Sequence, residues 1–380
     1  MALRFLTAGD SHGDSLTGII EGLPAGIPVS LRKIRRELRR RSQSFGRGSR
    51  QEIETDQVEI LGGLWKGKTT GAPLAIRIPN RGRKVSGKRG GALSTVPRPG
   101  HADLAGCLKY GLDEVPPISE RASARSTAMR VAIGAVARMA LERFSVEIIS
   151  HVRSIGGIAA EPGPLSVDGI RRRVARSPVR CVDPGVGRRM ADAIRSAQEE
   201  GHSLGGSVEV VASGIPPGVG SHVAWDRKLD ARLAGALMSI QSVKAVEIGE
   251  GLDTHRRFGV DAQDAIVLDG GRLARPTNFA GGIEGGISNG EDITVRVYAK
   301  PIPTAKKCLP TVNLRTLKPR PSPYVRSDVC VIPALGVIAE SVVAWELLCA
   351  VMEKFGGDHM DETERNLRSY LASLEERTRP

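Results

Sequence analysis

Two short segments each place a histidine where it could pass a proton to or from a bound molecule. His12 lies in "GDSHGDS", directly after the apolar run "RFLTA", and His101 lies in "RPGHAD", after a Pro-Gly turn. Small neighbouring residues leave room for a ligand, and histidine titrates near neutral pH, which suits general acid–base catalysis. Neither segment has the His-Glu-x-x-His spacing of a zinc site. An ordinary surface histidine in a loop is the alternative at both places.

Arginine is concentrated in "LRKIRRELRRRSQSF" and in the following "GRGSRQE". Such a cluster can hold a nucleic-acid backbone, hold a small anion, or simply face water. Ser30 is a suitable N-cap for a helix in which Leu31, Ile34 and Leu38 share one face. Most of the arginines are therefore predicted to lie in solvent on the other faces of this helix.

Three further segments combine small residues with charge. In "ERASARSTAMR", Arg121, Arg125 and Arg130 lie at a predicted helix start, where free N–H groups and the helix dipole suit a phosphate. The two Gly-Gly pairs of "NFAGGIEGGISNG" permit close approach of a flat ligand. Arg326 and Asp328 flank Ser327 in "YVRSDVCVIPA". A capped helix, a tight loop and a structural ion pair are the respective alternatives.

The elements that must position these residues follow from apolar periodicity. Strands are predicted at "VEIISHV", "SVEVVAS" and "DITVRVYA", and helices at "STAMRVAIGAVARMALERF", "KLDARLAGALMSI" and "ESVVAWELLCAVMEKF". A last helix is predicted in "DETERNLRSYLASLEE", with Asp361 as its N-cap. The strands do not alternate regularly with helices, so a doubly wound parallel sheet is disfavoured. We expect one domain of mixed α and β structure.

Composition narrows the class of protein. A net charge of +13 over 380 residues implies an anionic partner, either a polymer or a metabolite. Aromatic residues are only 3%, and no helix-turn-helix, KH or RNP motif is present, which argues against nucleic acid. The five cysteines lack CxxC spacing, so a reduced cytosolic protein without a zinc site is expected. Neither a signal peptide nor a membrane span is expected.

Taken together, the motifs resemble the chorismate synthase family, in order and over almost the whole chain. The matched stretches are "AGDSHG", "GRGSRQEIETDQVEILGG", "RPGHADLAGCLKYG", "ERASARSTAMRVAIGAVA", "ALMSIQSVKAVEIGEG", "NFAGGIEGGISNGEDITVRVYAKPIPT" and "RSDVCVIPA". The resemblance implies an α+β fold in which helices are sandwiched between antiparallel β-sheets. It also implies a single large domain over residues 1–380, with a C-terminal helix at 361–377.

The implied function is chorismate synthase, a lyase of the shikimate pathway of aromatic amino-acid biosynthesis. The reaction is the anti 1,4-elimination of phosphate and a proton from 5-enolpyruvylshikimate 3-phosphate, and it requires reduced FMN (FMNH2). Family members are homotetramers, and we expect a cytoplasmic enzyme without nucleic-acid or membrane partners. Some members reduce their flavin with NADPH and others depend on an external flavin reductase, and the sequence leaves both open.

The resemblance also implies roles for individual residues. His12 matches the proton donor to the leaving phosphate, His101 the histidine near flavin N1, and Asp328 the acid that serves flavin N5. The implied substrate-binding residues are Ser11, Arg41, Arg47, Arg50, Arg98, Arg125 and Arg326. The implied flavin-binding residues are Arg41, Arg47, Arg121, Ala122, Ser123, Gln241, Ser242, Gly285, Lys300, Pro301, Ile302, Pro303, Thr304 and Arg326. Several arginines suit a site whose ligands carry carboxylates and phosphates.

The chain departs from the family pattern at two places. Ser126 replaces the usual Glu after the "SAR" arginine, and "DEVPPIS", with Pro116 and Pro117, replaces the usual "DxR" segment. Both changes lie beside the predicted site. Two alternatives are therefore kept: a basic nucleic-acid-binding protein, and a flavin-binding homologue with impaired catalysis.

Overall fold

The computed structural model describes residues 2–46, 56–80, 94–163, 165–303, 306–324 and 328–378. Four of the predicted site residues, Arg47, Arg50, Thr304 and Arg326, lie outside these ranges. Strands longer than two residues are β1 Arg4–Ala8, β2 Ser15–Glu21, β3 Glu59–Gly62, β6 Leu74–Pro79, β7 Glu147–Ile155, β9 Gly206–Ser213, β10 Val243–Ile248, β11 Val267–Asp269, β12 Arg272–Ala274, β15 Ile293–Ala299, β16 Pro310–Val312 and β17 Pro319–Pro321. Two-residue strands are β4 Leu64–Trp65, β5 Lys68–Thr69, β8 Ile158–Ala159, β13 Ile283–Glu284 and β14 Ile287–Ser288.

The α-helices alternate irregularly with these strands, as predicted. They are α1 Leu31–Ser42, α2 Asp103–Tyr110, α3 Pro116–Ala122, α4 Thr127–Leu141, α5 Val167–Val174, α6 Pro184–Glu200, α7 Leu229–Met238, α8 Gly251–Thr254, α9 Ile332–Phe355 and α10 Met360–Thr378. Ser30 caps α1, as predicted, by accepting from the backbone N–H of Lys33. The last helix begins one residue before its predicted N-cap, Asp361.

Two antiparallel sheets form the outer layers. The first has the strand order β1-β2-β6-β3, and the second has the order β10-β15-β9-β7-β8. Ile293, Val295 and Val297 of β15 are buried and alternate with less buried residues, which confirms the predicted period of two.

Two apolar helices, α4 and α9, pack against each other between the sheets. On the first sheet, Gly18 of β2 leaves room for Met129 of α4, whose Sδ would lie 2.6 Å from any Cβ at that position. On the same side, Phe5 of β1 meets Trp345 of α9 edge-on, with ring centroids 4.9 Å apart. The other side of α9 contacts β7 and β9. The predicted α+β sandwich is therefore confirmed.

Helix α9 is long and apolar enough to cross a membrane, but 94% of its most apolar window is buried inside the protein. It begins eight residues before the predicted segment, because Pro333 occupies its first turn, where a missing N–H costs nothing. Gly336 also continues the helix, and a Cβ there would meet Ser150 Oγ at 2.6 Å. Neither residue forms a turn here: the proline begins the helix, and the glycine allows the close approach of β7.

Two arginines of α1, Arg40 and Arg41, are largely shielded from solvent, unlike most of the cluster. Arg40 donates to both carboxylate oxygens of Glu340 in α9, over 2.8 and 2.9 Å, and Glu340 is completely buried. Arg40 lies one turn after Glu37, on the side of α1 that faces the core. Arg36, in contrast, is exposed as predicted.

Candidate active site

The loop between β1 and β2 carries His12 and is held in place by hydrogen bonds from the side chain of Asn80. The Asn80 side chain donates to the carbonyl oxygens of Asp10 and Gly13 over 3.1 and 2.9 Å. Its own oxygen accepts from Nε and Nη2 of the buried Arg125 over 3.0 and 2.9 Å. The arginine therefore holds the loop that presents the histidine.

A carboxylate that was not among the predicted site residues grips His12. Glu120, near the end of α3, accepts the backbone N–H of His12 at Oε2 and faces ring Nδ1 with Oε1, each over 2.7 Å. The following residues also meet the strand β1 and its loop: Ser123 Oγ donates to Ser11 Oγ over 3.2 Å, and Arg121 Nη2 to the Thr7 carbonyl over 2.9 Å. Ser11, His12, Arg121 and Ser123 are thus brought together.

His101 belongs to a second cluster, built around Asp103 at the start of α2. Asp103 is fully buried and lies 2.5 Å from Nδ1 of His101. Arg98 donates to both of its oxygens, from Nε over 2.8 Å and from Nη2 over 3.1 Å. Burial alone would raise the pKa of Asp103, but the hydrogen bonds from His101 and Arg98 outweigh it and lower the pKa to about 2. Asp103 is therefore ionised at neutral pH.

Residues predicted to bind flavin link the two histidine clusters. Lys300 Nζ donates to the carbonyl of Gly100, next to His101, over 2.6 Å, and its backbone N–H donates to Ser242 over 3.0 Å. The neighbouring Gln241 donates from Nε2 to Ser126 Oγ over 3.0 Å. Ser126 in turn donates to the carbonyl of Ser123, also over 3.0 Å. A continuous path therefore runs from the His101 turn to the His12 loop.

Arg41 and Arg125 meet at Asp56 in the interior. Arg125 Nη1 donates to Asp56 Oδ1 over 2.5 Å, and Arg41 Nη1 lies 3.7 Å from its other oxygen. Arg41 also donates from Nε to Thr127 Oγ1 over 2.9 Å and from Nη2 to the Ala124 carbonyl over 3.1 Å. Both side chains are buried and support the segment that carries Ser123. Their contact with substrate stays a prediction.

Asp328 reaches the same neighbourhood through its chain neighbours. Val329 accepts at its carbonyl from Leu204 over 2.9 Å, and Ser203 donates to the carbonyl of Ile302 over 2.8 Å. The backbone N–H of Val329 also bonds to Gly46, just before the predicted Arg47. The segment of Asp328 therefore contacts Gly46 directly and, through Leu204 and Ser203, adjoins the Lys300–Pro303 stretch.

Gly285 lies apart from this path. It forms the turn between β13 and β14 with φ near +60°, and a Cβ there would meet nothing within 4 Å. The hairpin is bonded to Ser221 and to Leu229, at the start of α7. The hydrogen bonds of the described residues do not join Gly285 to either histidine cluster.

Two histidines with carboxylate partners, next to several cationic side chains, can transfer protons to and from an anionic ligand. The chorismate synthase family model matches residues 3–352 of the chain. The chain belongs to the chorismate synthase family.

Full-length relatives agree with this assignment. The chorismate synthase of Acidothermus cellulolyticus is 47% identical over 388 residues, covering 98% of this chain and 99% of the relative. That of Desulforudis audaxviator is 49% identical over 382 residues, covering 98% of each. A crystal structure of a chorismate synthase superposes with a TM-score of 0.82 at 38% identity, covering 99% of both chains.

The function is therefore that of a chorismate synthase, a lyase of aromatic amino-acid biosynthesis that acts on a small molecule. The nucleic-acid-binding alternative is not favoured. The excess of positive charge instead suits a small anionic substrate.

Proposed function

We propose that the chain eliminates phosphate and a proton from 5-enolpyruvylshikimate 3-phosphate in a reaction that requires reduced FMN. One observation carries the proposal: the path from Gly100, next to His101, through Lys300, the adjacent residues Ser242 and Gln241, and Ser126 to Ser123 beside the His12 loop. Residues matched to flavin binding by resemblance thus lie between the two residues matched to proton transfer.

The residues along this path suit a flavin. Among the described residues, Gln241 Oε1 is buried and has no hydrogen-bond partner, so it can accept an N–H of a bound ring. Arg121 and Lys300 supply positive charge for a phosphate. We propose that Ala122, Ser123, Ser242 and the segment 301–304 complete the cofactor site. When bound, reduced FMN supplies an electron-rich ring that lends charge as the bond to phosphate breaks.

The proton roles follow from the two clusters. We assign His12 to protonate the leaving phosphate oxygen, because an imidazolium N–H can donate its proton to an oxyanion within hydrogen-bond reach. His101 and Asp328 are assigned to hold protons beside the cofactor, on its N1 and N5 sides respectively. Ser11 orients the substrate next to His12.

The anionic groups of the substrate call for arginines. Arg98 is fixed by the fork of Asp103, so its guanidinium is already oriented for a second, planar anion. We propose that Arg47, Arg50 and Arg326 also bind the substrate anions. Arg41 and Arg125 are proposed to add positive charge from the buried side of the site.

We further propose a cytoplasmic homotetramer. Apolar side chains in the segment 251–274 are exposed, and a second copy of the chain could cover them. They are Leu252, Phe258, Val260, Ile266, Leu268 and Leu273. Gly285, which stands apart from the site within one chain, is proposed to contact the cofactor of the assembled enzyme. Reduction of the flavin by NADPH or by an external reductase is equally compatible with this arrangement.

The test is an anaerobic assay with dithionite-reduced FMN and 5-enolpyruvylshikimate 3-phosphate, following chorismate. His12→Ala and His101→Ala should each slow turnover by about 10²–10⁴-fold, the usual effect of losing acid–base help. His222→Ala, at an exposed histidine outside the site, is the control and should leave turnover unchanged. Full activity with oxidised FMN, or near-normal rates in both histidine variants, would contradict the proposal. Circular dichroism checks that each variant is folded.

A further inference from the structure

Each histidine of the site is held at the same ring nitrogen by a carboxylate. Asp103 lies 2.5 Å from Nδ1 of His101, and Glu120 lies 2.7 Å from Nδ1 of His12. We propose that Asp103 and Glu120 are positioning residues that keep Nδ1 of both rings protonated and leave Nε2 as the nitrogen that gives or takes a proton. The inference rests on the proposed function for its catalytic consequence, but the tautomers can be tested without it.

At His101 two neighbours compete for Nδ1. Arg98 Nη2 lies 3.2 Å away and can only donate, whereas the Asp103 oxygen lies 2.5 Å away and, being ionised, can only accept. A lone pair on Nδ1 would face the carboxylate oxygen without a proton between them, at the shorter of the two distances. Because the contact with the carboxylate is the shorter of the two, we assign the hydrogen to Nδ1. Lys300 Nζ, another positive group at this turn, donates to the Gly100 carbonyl rather than to the ring.

At His12 the carboxylate of Glu120 makes two contacts. Glu120 Oε2 accepts the backbone N–H of His12 while Oε1 faces its ring, so the carboxylate sets the ring's position as well as its tautomer. The His12 side chain is 49% exposed and Glu120 only 17%, so the fixed partner is the carboxylate. This arrangement resembles the carboxylate that orients the histidine in serine proteases.

The chemical consequence is a defined proton route. In the elimination, the electron pair of the breaking carbon–hydrogen bond forms the new double bond, and its proton is taken up on the cofactor side of the site. The carbon–oxygen bond breaks with its electron pair leaving on phosphate, and the His12 ring, which starts protonated on both nitrogens, passes its Nε2 proton to a phosphate oxygen. The ring is left neutral with its Nδ1 hydrogen still bonded to Glu120. In the other tautomer the remaining hydrogen would lie on Nε2, and two acceptors would face each other at Nδ1.

The test uses Asp103→Asn and Glu120→Gln, which keep shape but turn one acceptor oxygen into a donor amide. The control is Asp361→Asn in α10, whose carboxylate lies 3.5 Å from Nδ1 of His359, just before that helix and outside the site. ¹⁵N NMR of histidine-labelled enzyme reports each tautomer, with signals assigned by His12→Gln and His101→Gln. We expect Nδ1–H at both histidines in the parent, and a switch to Nε2–H at His101 in Asp103→Asn and at His12 in Glu120→Gln.

Turnover gives the second readout. Glu120→Gln should lower kcat by about 10²–10⁴-fold with little change in KM, Glu120→Asp should recover part of it, and Asp361→Asn should lie within about twofold of the parent. Unchanged tautomers in both site variants would overturn the positioning inference. Switched tautomers with normal kcat would leave it standing and overturn the proton roles of the histidines instead. If Asp103→Asn fails to fold, Glu120→Gln at the half-exposed His12 pair tests the positioning inference by itself.

Discussion

Replacing Glu340 by Gln should destabilise the protein more than any single surface change. Its carboxylate is completely buried in α9 and accepts six hydrogen bonds. Arg40 contributes two, Arg138 one over 2.7 Å and Arg180 one over 2.8 Å. The backbone N–H and the hydroxyl of Ser150 contribute the other two, over 2.9 and 2.7 Å. The cluster therefore ties α1, α4 and β7 to the central helix.

The magnitude follows from what Gln cannot do. It removes the negative charge that three guanidinium groups share, and its amide nitrogen must face donors where an oxygen stood. Removing one partner of a buried ion pair costs about 3–5 kcal/mol, because the remaining charges stay buried without compensation. Whole domains are stable by only about 5–15 kcal/mol, so this loss is a large fraction of the total.

Urea unfolding at fixed protein and cofactor concentrations measures the loss. With a slope of about 3 kcal/mol per molar urea, a loss of about 4 kcal/mol lowers the midpoint by more than about 1 M. Asp192→Asn is the matched control, because its pair with Arg195 is exposed on both sides and should contribute less than about 1 kcal/mol. Equal midpoint shifts in the two variants would refute the idea that the Glu340 cluster is closed to water.

The pH dependence gives an independent check. Burial alone would raise the pKa of Glu340, but the charges of Arg40, Arg180 and Arg138 outweigh it and hold the pKa far below its usual range. Since the pKa is depressed in the folded state, the contribution of Glu340 is complete above the ordinary value of about 4.3 and is lost as the pH falls below it. The difference between parent and Glu340→Gln should thus be constant from about pH 7 to 5 and shrink in acid.

Two further predictions use paired variants. Gly134→Ala should destabilise the protein by about 1–3 kcal/mol, because a Cβ there would lie 2.4 Å from Ser341 Cβ where α4 crosses α9. Gly235→Ala in α7 would place a Cβ with nothing within 4 Å and should stabilise the protein by about 0.5–1 kcal/mol. Thermal melts measure both, and a change in stability of the same sign in the two variants would contradict the packing. Arg47→Ala should weaken substrate or FMN binding by about ten- to a hundred-fold, as expected for one lost charge-assisted hydrogen bond, while Arg36→Ala, at an exposed arginine, should change it little. Ligand titrations at fixed salt measure both, and similar losses would mean that the arginines act as a diffuse basic patch.

Periodicity in the sequence was sufficient for the elements but not for all their ends. The alternation in β15 and the apolar face of α4 are local properties, so both were predicted. The start of α9 was not, because Pro333 and Gly336 resemble turn residues until the neighbours are known. Gly336 is explained by its close approach to Ser150 of strand β7, and no local pattern in the sequence contains that contact.

The same distinction between local sequence patterns and long-range contacts applies to the site residues. His12 and His101 could be selected because histidine between small residues in a loop is itself a signal. Their carboxylates were missed for different reasons. Asp103 stands only two residues from His101, and a histidine followed closely by an acid is a pattern that could have identified it. Glu120 is 108 positions from His12 in the chain, so only the fold brings the two together.

The departure at Ser126 shows how a local substitution acquires a role from its surroundings. In place of the family's usual Glu, the serine hydroxyl accepts from Gln241 and donates to the Ser123 carbonyl. A carboxylate could accept from Gln241 but, when ionised, could not donate to the carbonyl. The serine therefore joins the His12 side of the site to the Gln241 side by a neutral link, and it adds no negative charge next to the buried Gln241 oxygen.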